Sequence, residues 1–277
     1  MSFQNPPAGL EPFLVDAVRR AHQRLSPALL VERVRRAFPG LRAGHVRSAL
    51  RSLVDSGELR YSYHFGQSWV EFNYNRPIPL SSRFILVPES SRRICVPGKK
   101  IIRLASGGAF GAGDHPTTRL ALAGLDFLVD TTDNWIGGRR PAWGLDIGTG
   151  TGILALAAMK LGLDFVNAFD IDACARFEAR RNVEINGLSG RIFVGGSWPE
   201  SKVSYMLVMA NLRLPTIKHY SEPIARHMSP GAFLLVSGIR PEEVGCIERT
   251  FDEKGFKLLW SSCDGGWCSG VLRRQGG

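Results

Sequence analysis

Apolar residues recur at a helical period through the first part of the chain. Leu14, Ala17, Val18, Ala21 and Leu25 predict a helix over 11–25. Leu30, Val31, Val34 and Phe38 predict a second helix, opened by Ser26 as N-cap and Pro27 at the first helical position. Val46, Ala49, Leu50, Leu53 and Val54, at i, i+3, i+4, i+7 and i+8, predict a third that stops at Gly57. The period then changes to two. Leu59, Tyr61 and Tyr63 alternate, His64 to Ser68 reads as a turn, and Val70 and Phe72 alternate again, which predicts a β-hairpin. Two strand-like runs, Arg83 to Val87 and Lys100 to Leu104, flank a turn containing Pro and Ser and predict a connecting β-hairpin over 76–106. From 107 to 277 short apolar strands alternate with helices, which predicts an α/β domain. Residues 1–9 fit none of these patterns and read as a flexible tail.

Charge sharpens that division. The 277 residues carry 35 Lys+Arg against 25 Asp+Glu, a net charge of +10. Residues 1–100 hold 16 of those cations and 7 of the acids, so the excess lies at the front and the remainder is close to neutral. Three short helices followed by a two-stranded wing resemble a winged helix-turn-helix domain over residues 10–75. The polar face of its third helix shows Arg42, His45, Arg47 and Arg51, with Arg47 and Arg51 one turn apart. These arginines suit phosphates of a nucleic acid or the acidic surface of a protein partner, and both readings stay open. Tyr61, Tyr63, Trp69 and Tyr74 suit base stacking, but hairpin aromatics more commonly serve packing. The five cysteines are scattered and never spaced as a C-x-x-C pair, so reduced thiols are expected, with neither a disulfide framework nor a metal site. No apolar run approaches the ~20 residues of a membrane helix, and the expected location is the cytoplasm, with no membrane partner.

Two glycine-rich segments carry the candidate chemistry. Between Gly107 and Asp114 every residue except Phe110 is glycine or alanine, a composition that lets backbone approach a ligand. It is no phosphate-binding P-loop, because Asp114 and His115 stand where Lys and Ser or Thr are required. The second segment, Asp146-Ile147-Gly148-Thr149-Gly150-Thr151-Gly152, joins an apolar strand to a helix. The next strand, Phe165 to Phe169, ends at Asp170, 22 residues after Gly148. Strand, glycine turn, helix, strand and acid form the layout of a nucleotide-binding sheet, in which the acid accepts the ribose hydroxyls. The third glycine sits one position too early for the dinucleotide fingerprint, which places Ile153 there, so S-adenosyl-L-methionine is favoured over NAD.

The loop from Gly108 to Thr118, the Asp146 to Ala155 segment, Asp170-Ile171-Asp172, Asn182 to Gly187, Ala210-Asn211-Leu212, Ser237-Gly238-Ile239 and the ending Trp267-Cys268 to Arg273-Arg274 together resemble the PrmA family. Its members are S-adenosylmethionine-dependent methyltransferases of large-subunit ribosomal protein eleven. The resemblance implies a class I methyltransferase fold, Rossmann-like, with a seven-stranded sheet whose last strand runs antiparallel. It also implies cofactor contacts from Phe110, Thr118, Asp146, Gly148, Gly150, Gly152, Asp170 and Asn211. Asn211 is the implied catalytic residue beside the methyl group, and His115 is the loop group placed to help deprotonate an amine, with helix capping as its alternative role.

The Asn211-Leu212-Arg213-Leu214-Pro215 run lacks the Asn-Pro-Pro-aromatic segment of enzymes that methylate planar amide or adenine nitrogens, which favours an aliphatic amine. The chain departs from the family at its front, where a winged-helix-like domain replaces a small α/β substrate-recognition domain. The leading expectation is therefore a protein lysine N-methyltransferase with a protein substrate, ribosomal in the family. A nucleic-acid methyltransferase, and a winged-helix regulator that only senses S-adenosylmethionine, remain as alternatives.

Overall fold

The computed structural model describes residues 7–21, 23–73, 76–89, 95–105, 113, 115–131, 141–200 and 203–276. The chain divides into two compact units between Arg76 and Pro77.

The first unit contains α1 (Leu10–Arg19), α2 (Pro27–Ala37), α3 (Ala43–Asp55) and the antiparallel pair β1 (Leu59–His64) and β2 (Gln67–Phe72). Its core is Leu10, Leu14, Leu30, Val34, Val46, Leu50, Leu59 and Val70. The first helix is shorter than the apolar period predicts. Pro27 forces Ser26 into the extended region (ψ 157°), where its hydroxyl caps α2, and Leu25 leaves the helical path to form a β-bridge with Val70. The hairpin turn is also tighter than expected. Phe65 and Gly66, both at positive φ, form a two-residue turn, and pairing continues to His64 opposite Gln67. Tyr61 and Tyr63 are 49% and 71% exposed, so the expectation that hairpin rings serve packing is corrected for these two. Tyr74 lies outside the described residues.

The second unit is built on a seven-stranded sheet in the order β11-β12-β10-β9-β6-β7-β8. The strands are β6 (Trp143–Ile147), β7 (Phe165–Phe169), β8 (Ile192–Gly195), β9 (Tyr205–Asn211), β10 (Met228–Ile239), β11 (Phe256–Asp264) and β12 (Trp267–Arg274). All neighbours are parallel except β12, which runs antiparallel to β10 and β11. The chain enters at β6 and winds outward in both directions, so β6 and β9 flank the topological switch point where ligands of such sheets bind. The covering helices are α4 (Pro116–Thr131), α5 (Ile153–Lys160), α6 (Ala173–Ile185), α7 (Leu214–His227) and α8 (Val244–Asp252). At Gly124, α4 lies so close to the sheet that an added Cβ would fall 2.5 Å from Leu235 and 3.2 Å from Trp260 and Val271.

A small second sheet, β3 (Ile78–Pro79), β4 (Phe84–Pro88) and β5 (Lys100–Leu104), precedes α4. The predicted β-hairpin over 76–106 is incorrect. The strands β4 and β5 run parallel, Phe84 opposite Lys100 through Pro88 opposite Leu104, while β3 supplies the antiparallel partner of β4. The stretch between Pro88 and Lys100 is long enough to return the chain to the same end, where a hairpin needs only a few residues. This sheet explains why α5 is apolar on every side, with Ile153 to Met159 all buried: it lies between β5 and the strands β6 and β7.

The outer edge of β5 is closed by two asparagines one turn apart on α6. Asn186 accepts from Arg103 N–H (3.1 Å) and donates to Arg103 O (2.7 Å), as a neighbouring strand would. Asn182, fully buried, accepts from Ala105 N–H (2.8 Å) and donates to Thr151 O (2.8 Å) in the glycine turn. Buried backbone groups need such partners. A further correction concerns Cys263 and Cys268, which oppose each other across the β11/β12 turn and are joined by a disulfide; Cys95, Cys174 and Cys246 are free thiols.

Replacing Asn182 removes partners from both Ala105 N–H and Thr151 O. Asn182→Ala is expected to cost about 2–3 kcal/mol in chemical denaturation, and a loss below about 1 kcal/mol would contradict this bridging role.

Candidate active site

At the carboxyl end of β6 the chain turns sharply through Gly148, Gly150 and Gly152, all at positive φ (68°, 54° and 82°). The turn is pinned from the next strand: Gly148 N–H and Thr149 N–H both donate to Phe169 O, at 2.9 and 3.0 Å. Asp170, the residue after β7, then fastens it with its side chain. One carboxylate oxygen accepts from Gly150 N–H (2.9 Å) and the other from Asp172 N–H (3.0 Å). Each oxygen retains lone-pair capacity on the outer side, because a carboxylate offers about four acceptor positions. Arg176 holds the same corner by donating to Asp170 O and Ile171 O, both at 2.9 Å, and Asp172 caps α6 through Cys174 N–H. Ile171 is left 85% exposed beside the carboxylate, a flat apolar surface for a base.

Asp146 lies behind the turn, fully buried. Its carboxylate accepts from the Thr149 hydroxyl (2.6 Å) and Ala155 N–H (3.2 Å). Burial, reinforced by the charge of Asp170 and outweighing those two hydrogen bonds, raises its pKa to about 6.

The opposite wall comes from α4 and from the ends of β9 and β10. Thr118, on the first turn of α4, is completely buried, and its hydroxyl oxygen has no hydrogen-bond partner among the described residues. Such an orphan at a crevice fits a polar ligand group. The start of α4 is tied to the sheet by Ser237, whose hydroxyl donates to Thr117 O (2.8 Å). Asn211 ends β9 opposite Ser237, and a Cβ on Gly238, itself at φ 80°, would lie 3.0 Å from Asn211 Oδ1 and 2.9 Å from Leu212 O. Leu212 folds over the glycine turn, 2.6 Å from where a Gly148 Cβ would stand. Thus the Asn211-Leu212 corner closes on Gly148, and only glycine at 148 and 238 permits it.

His115 begins α4. Its Nδ1 lies 2.8 Å from the Thr117 hydroxyl and accepts from Thr117 N–H (3.3 Å), a capping arrangement that commits this nitrogen, and its ring meets Trp267 edge to face at 5.5 Å. Phe110 and Asp114 lie outside the described residues. In the first unit Arg42, Arg47 and Arg51 are all exposed.

Leu212, Ser237, Gly238, Ile171 and Asn182 stand in the sequence only within the family motifs, with no individual role legible. The positive φ of Gly238 explains why glycine stands there, and Leu212, Ser237 and Asn182 act through contacts between distant segments that leave no local signature.

The residues present fit an adenosine-containing cofactor: a paired acceptor at Asp170, a closely approachable glycine backbone beside it, an apolar side chain at Ile171 and a donor at Thr118. A family model described as Ribosomal protein L11 methyltransferase (PrmA) matches residues 49–275. The ribosomal protein L11 methyltransferase of Geotalea daltonii is 32% identical over 197 residues, covering 70% of this chain and 63% of that protein. The Bradyrhizobium diazoefficiens protein of the same name is 30% identical over 238 residues, covering 83% and 78% respectively. The first of these relatives is therefore spanned over less than two thirds of its length. Among solved structures, ribosomal protein L11 methylase from Lactobacillus delbrueckii subsp. bulgaricus superposes with a TM-score of 0.62 at 28% identity, covering 73% of this chain and 100% of that one. The chain belongs to the ribosomal protein L11 methyltransferase (PrmA) family.

Proposed function

We propose that the chain is an S-adenosylmethionine-dependent methyltransferase that acts on a lysine amine of a protein, ribosomal in kind as the relatives' names indicate, and works in the cytoplasm. The observation that carries this reading is the convergence of Asp170, the glycine turn, the orphan Thr118 hydroxyl and Asn211 at the switch point of one sheet. When bound, the donor supplies an activated methyl group on a sulfonium. Asp170 receives the ribose hydroxyls, Ile171 lies against the base, and Thr118 donates to a polar group of the donor. Asn211, at the end of β9, offers a side-chain carbonyl to the incoming amine and aligns it in line with the methyl carbon, and Leu212 excludes water from the glycine turn. An amine with an ordinary pKa of ~10.4 must lose its proton before it attacks. Because His115 Nδ1 is engaged by Thr117, a neutral amine reaching Asn211 requires desolvation or a cationic surrounding in place of that nitrogen as base.

In the same reading the first unit is a winged-helix-like module that selects the substrate beside nucleic acid. Arg42, Arg47 and Arg51 stand exposed with no acidic partner among the described residues, and Arg47 lines a groove of ≈580 Å³ with Ser26, Ala28, Val31, Gln67 and Ser68. Ser68 opposes Tyr63 in the hairpin, so an exposed ring shares the strand face that borders the groove. An arginine in the groove and a ring on its bordering strand face suit a phosphate and an unstacked base.

Three outcomes follow. Labelled S-adenosylmethionine incubated with the protein and a cell extract should yield label that protease releases and nuclease does not; release by nuclease, or no label despite cofactor binding, would overturn the protein-methyltransferase reading. Neutralising Arg47 and Arg51 together should lower the slope of log affinity against log salt for RNA by about 2, whereas an unchanged slope would argue against nucleic-acid contact. The third concerns pH. The folded pKa of Asp146, about 6, exceeds the ordinary aspartate value of 3.8. Between those values the native state holds the extra proton, so stability falls as pH rises through that window and the full penalty remains above it. The unliganded protein should lose about 3 kcal/mol across the window relative to its Asp146→Asn variant in urea titrations, and parallel profiles would contradict the assignment.

A further inference from the structure

One wall of the active site is cationic, and the donor cradle makes no use of it. Trp267 opens β12 at the same edge of the sheet as Asn211, beside His115. The guanidinium carbon of Arg240 lies 3.8 Å from the centroid of the Trp267 ring, and this side chain also donates to Gly266 O (3.0 Å). Arg213, two residues beyond Asn211, places its guanidinium carbon 6.0 Å from the same centroid. An exposed arginine ordinarily samples many rotamers; stacking and the carbonyl contact hold Arg240 in one and leave N–H groups for a further acceptor.

Neither cation has an acidic partner among the described residues, although acids stand close by. Glu243 accepts from the backbone N–H of Arg240 (2.7 Å), and Asp264 pairs with Arg119 (3.4 Å). Other arginines of this unit do find acids: Arg83 with Asp130, Arg181 with Glu89, Arg226 with Glu222. The positive end of α7 reinforces the wall, since Arg213 is its N-cap residue and supplies no side-chain cap. Two guanidiniums and a helix start around one indole repel an ammonium group and attract a carboxylate, which two parallel N–H groups receive well. They therefore turn an incoming lysine toward Asn211 in its neutral form and hold something acidic next to it.

We propose that Arg213 and Arg240, displayed on Trp267, form a receptor for the carboxylate of an acidic residue flanking the target lysine, so that the enzyme selects lysines in an acidic peptide context. This rests on the reading of the site as a protein lysine methyltransferase. A carboxylate is favoured over a nucleic-acid phosphate because the receptor lies at the methyl-acceptor edge, where the reading places a peptide.

The test uses the full chain and two synthetic lysine peptides that differ only in a Glu or Gln beside the lysine. Initial rates should favour the Glu peptide by about tenfold in kcat/KM, through KM. Arg213→Gln with Arg240→Gln should bring the ratio near one while affinity for S-adenosylhomocysteine stays within about twofold, which shows that the fold persists. Arg240→Glu should shift preference toward a peptide with Lys in the flanking position. Equal rates on both peptides, or a preference that survives the double substitution, overturn the proposal alone. Transfer to neither peptide overturns the underlying reading together with it. Displacement of the peptide by a short RNA that depends on Arg213 and Arg240 assigns the wall to phosphate and also overturns the proposal.

Discussion

The architecture of the second unit depends on one carboxylate. Asp170 reaches across from the end of β7 and accepts the N–H of Gly150, which fixes the left-handed turn between β6 and α5. The same side chain orders its own strand exit through Asp172 N–H, and Asp172 in turn caps α6. A turn of three positive-φ glycines has large conformational freedom, and without a tether it would present no fixed surface. With it, the crevice is shaped before any ligand arrives, and the atoms that shape it are those that would bind ribose. Preorganisation of this kind reduces the ordering cost of binding.

That turn is supported from behind by groups that touch no ligand. Asn182 joins α6, β5 and Thr151, and through it the small sheet becomes a brace for the glycine turn. Asp146 is buried at the base of the turn in a state that favours protonation, an electrostatic strain that a cationic donor nearby would relieve. The corner at the end of β9 follows from packing: Leu212 rests on Gly148, and Gly238 makes room for the carbonyl corner at Asn211.

Local features were the legible ones. The glycine triplet, the spaced Asp170 and the Ser26-Pro27 helix start each act within a few residues, so spacing alone conveys them. The seven-stranded sheet and its antiparallel last strand followed from the family resemblance. Long-range pairing was not legible. The parallel course of β4 and β5 depends on how an intervening segment returns, and the asparagine closure of β5 joins residues 77 and 83 positions apart. Leu25 kept its helical periodicity on paper while proline two residues later removed it from the helix. The Cys263–Cys268 pair did carry a signal, since Gly265-Gly266 between them is a hairpin turn that sets the two residues opposite each other. Reading cysteines only by C-x-x-C spacing passed over it.

Charge does not divide along the structural boundary: residues 1–76 hold 11 Lys+Arg against 6 Asp+Glu and residues 77–277 hold 24 against 19, so each unit carries +5 of the net +10. The first unit has the higher net charge per residue only because it is the shorter. In the proposed reading its cations concern what is met before chemistry begins, and the arginines at Trp267 concern which acceptor is presented. The central claim, that Asp170 both builds the turn and receives the donor, is tested most directly by titrating S-adenosylhomocysteine into the Asp170→Ala variant by calorimetry. The account predicts at least a tenfold loss of affinity in a protein that still unfolds cooperatively, and affinity equal to that of the unaltered protein would contradict it.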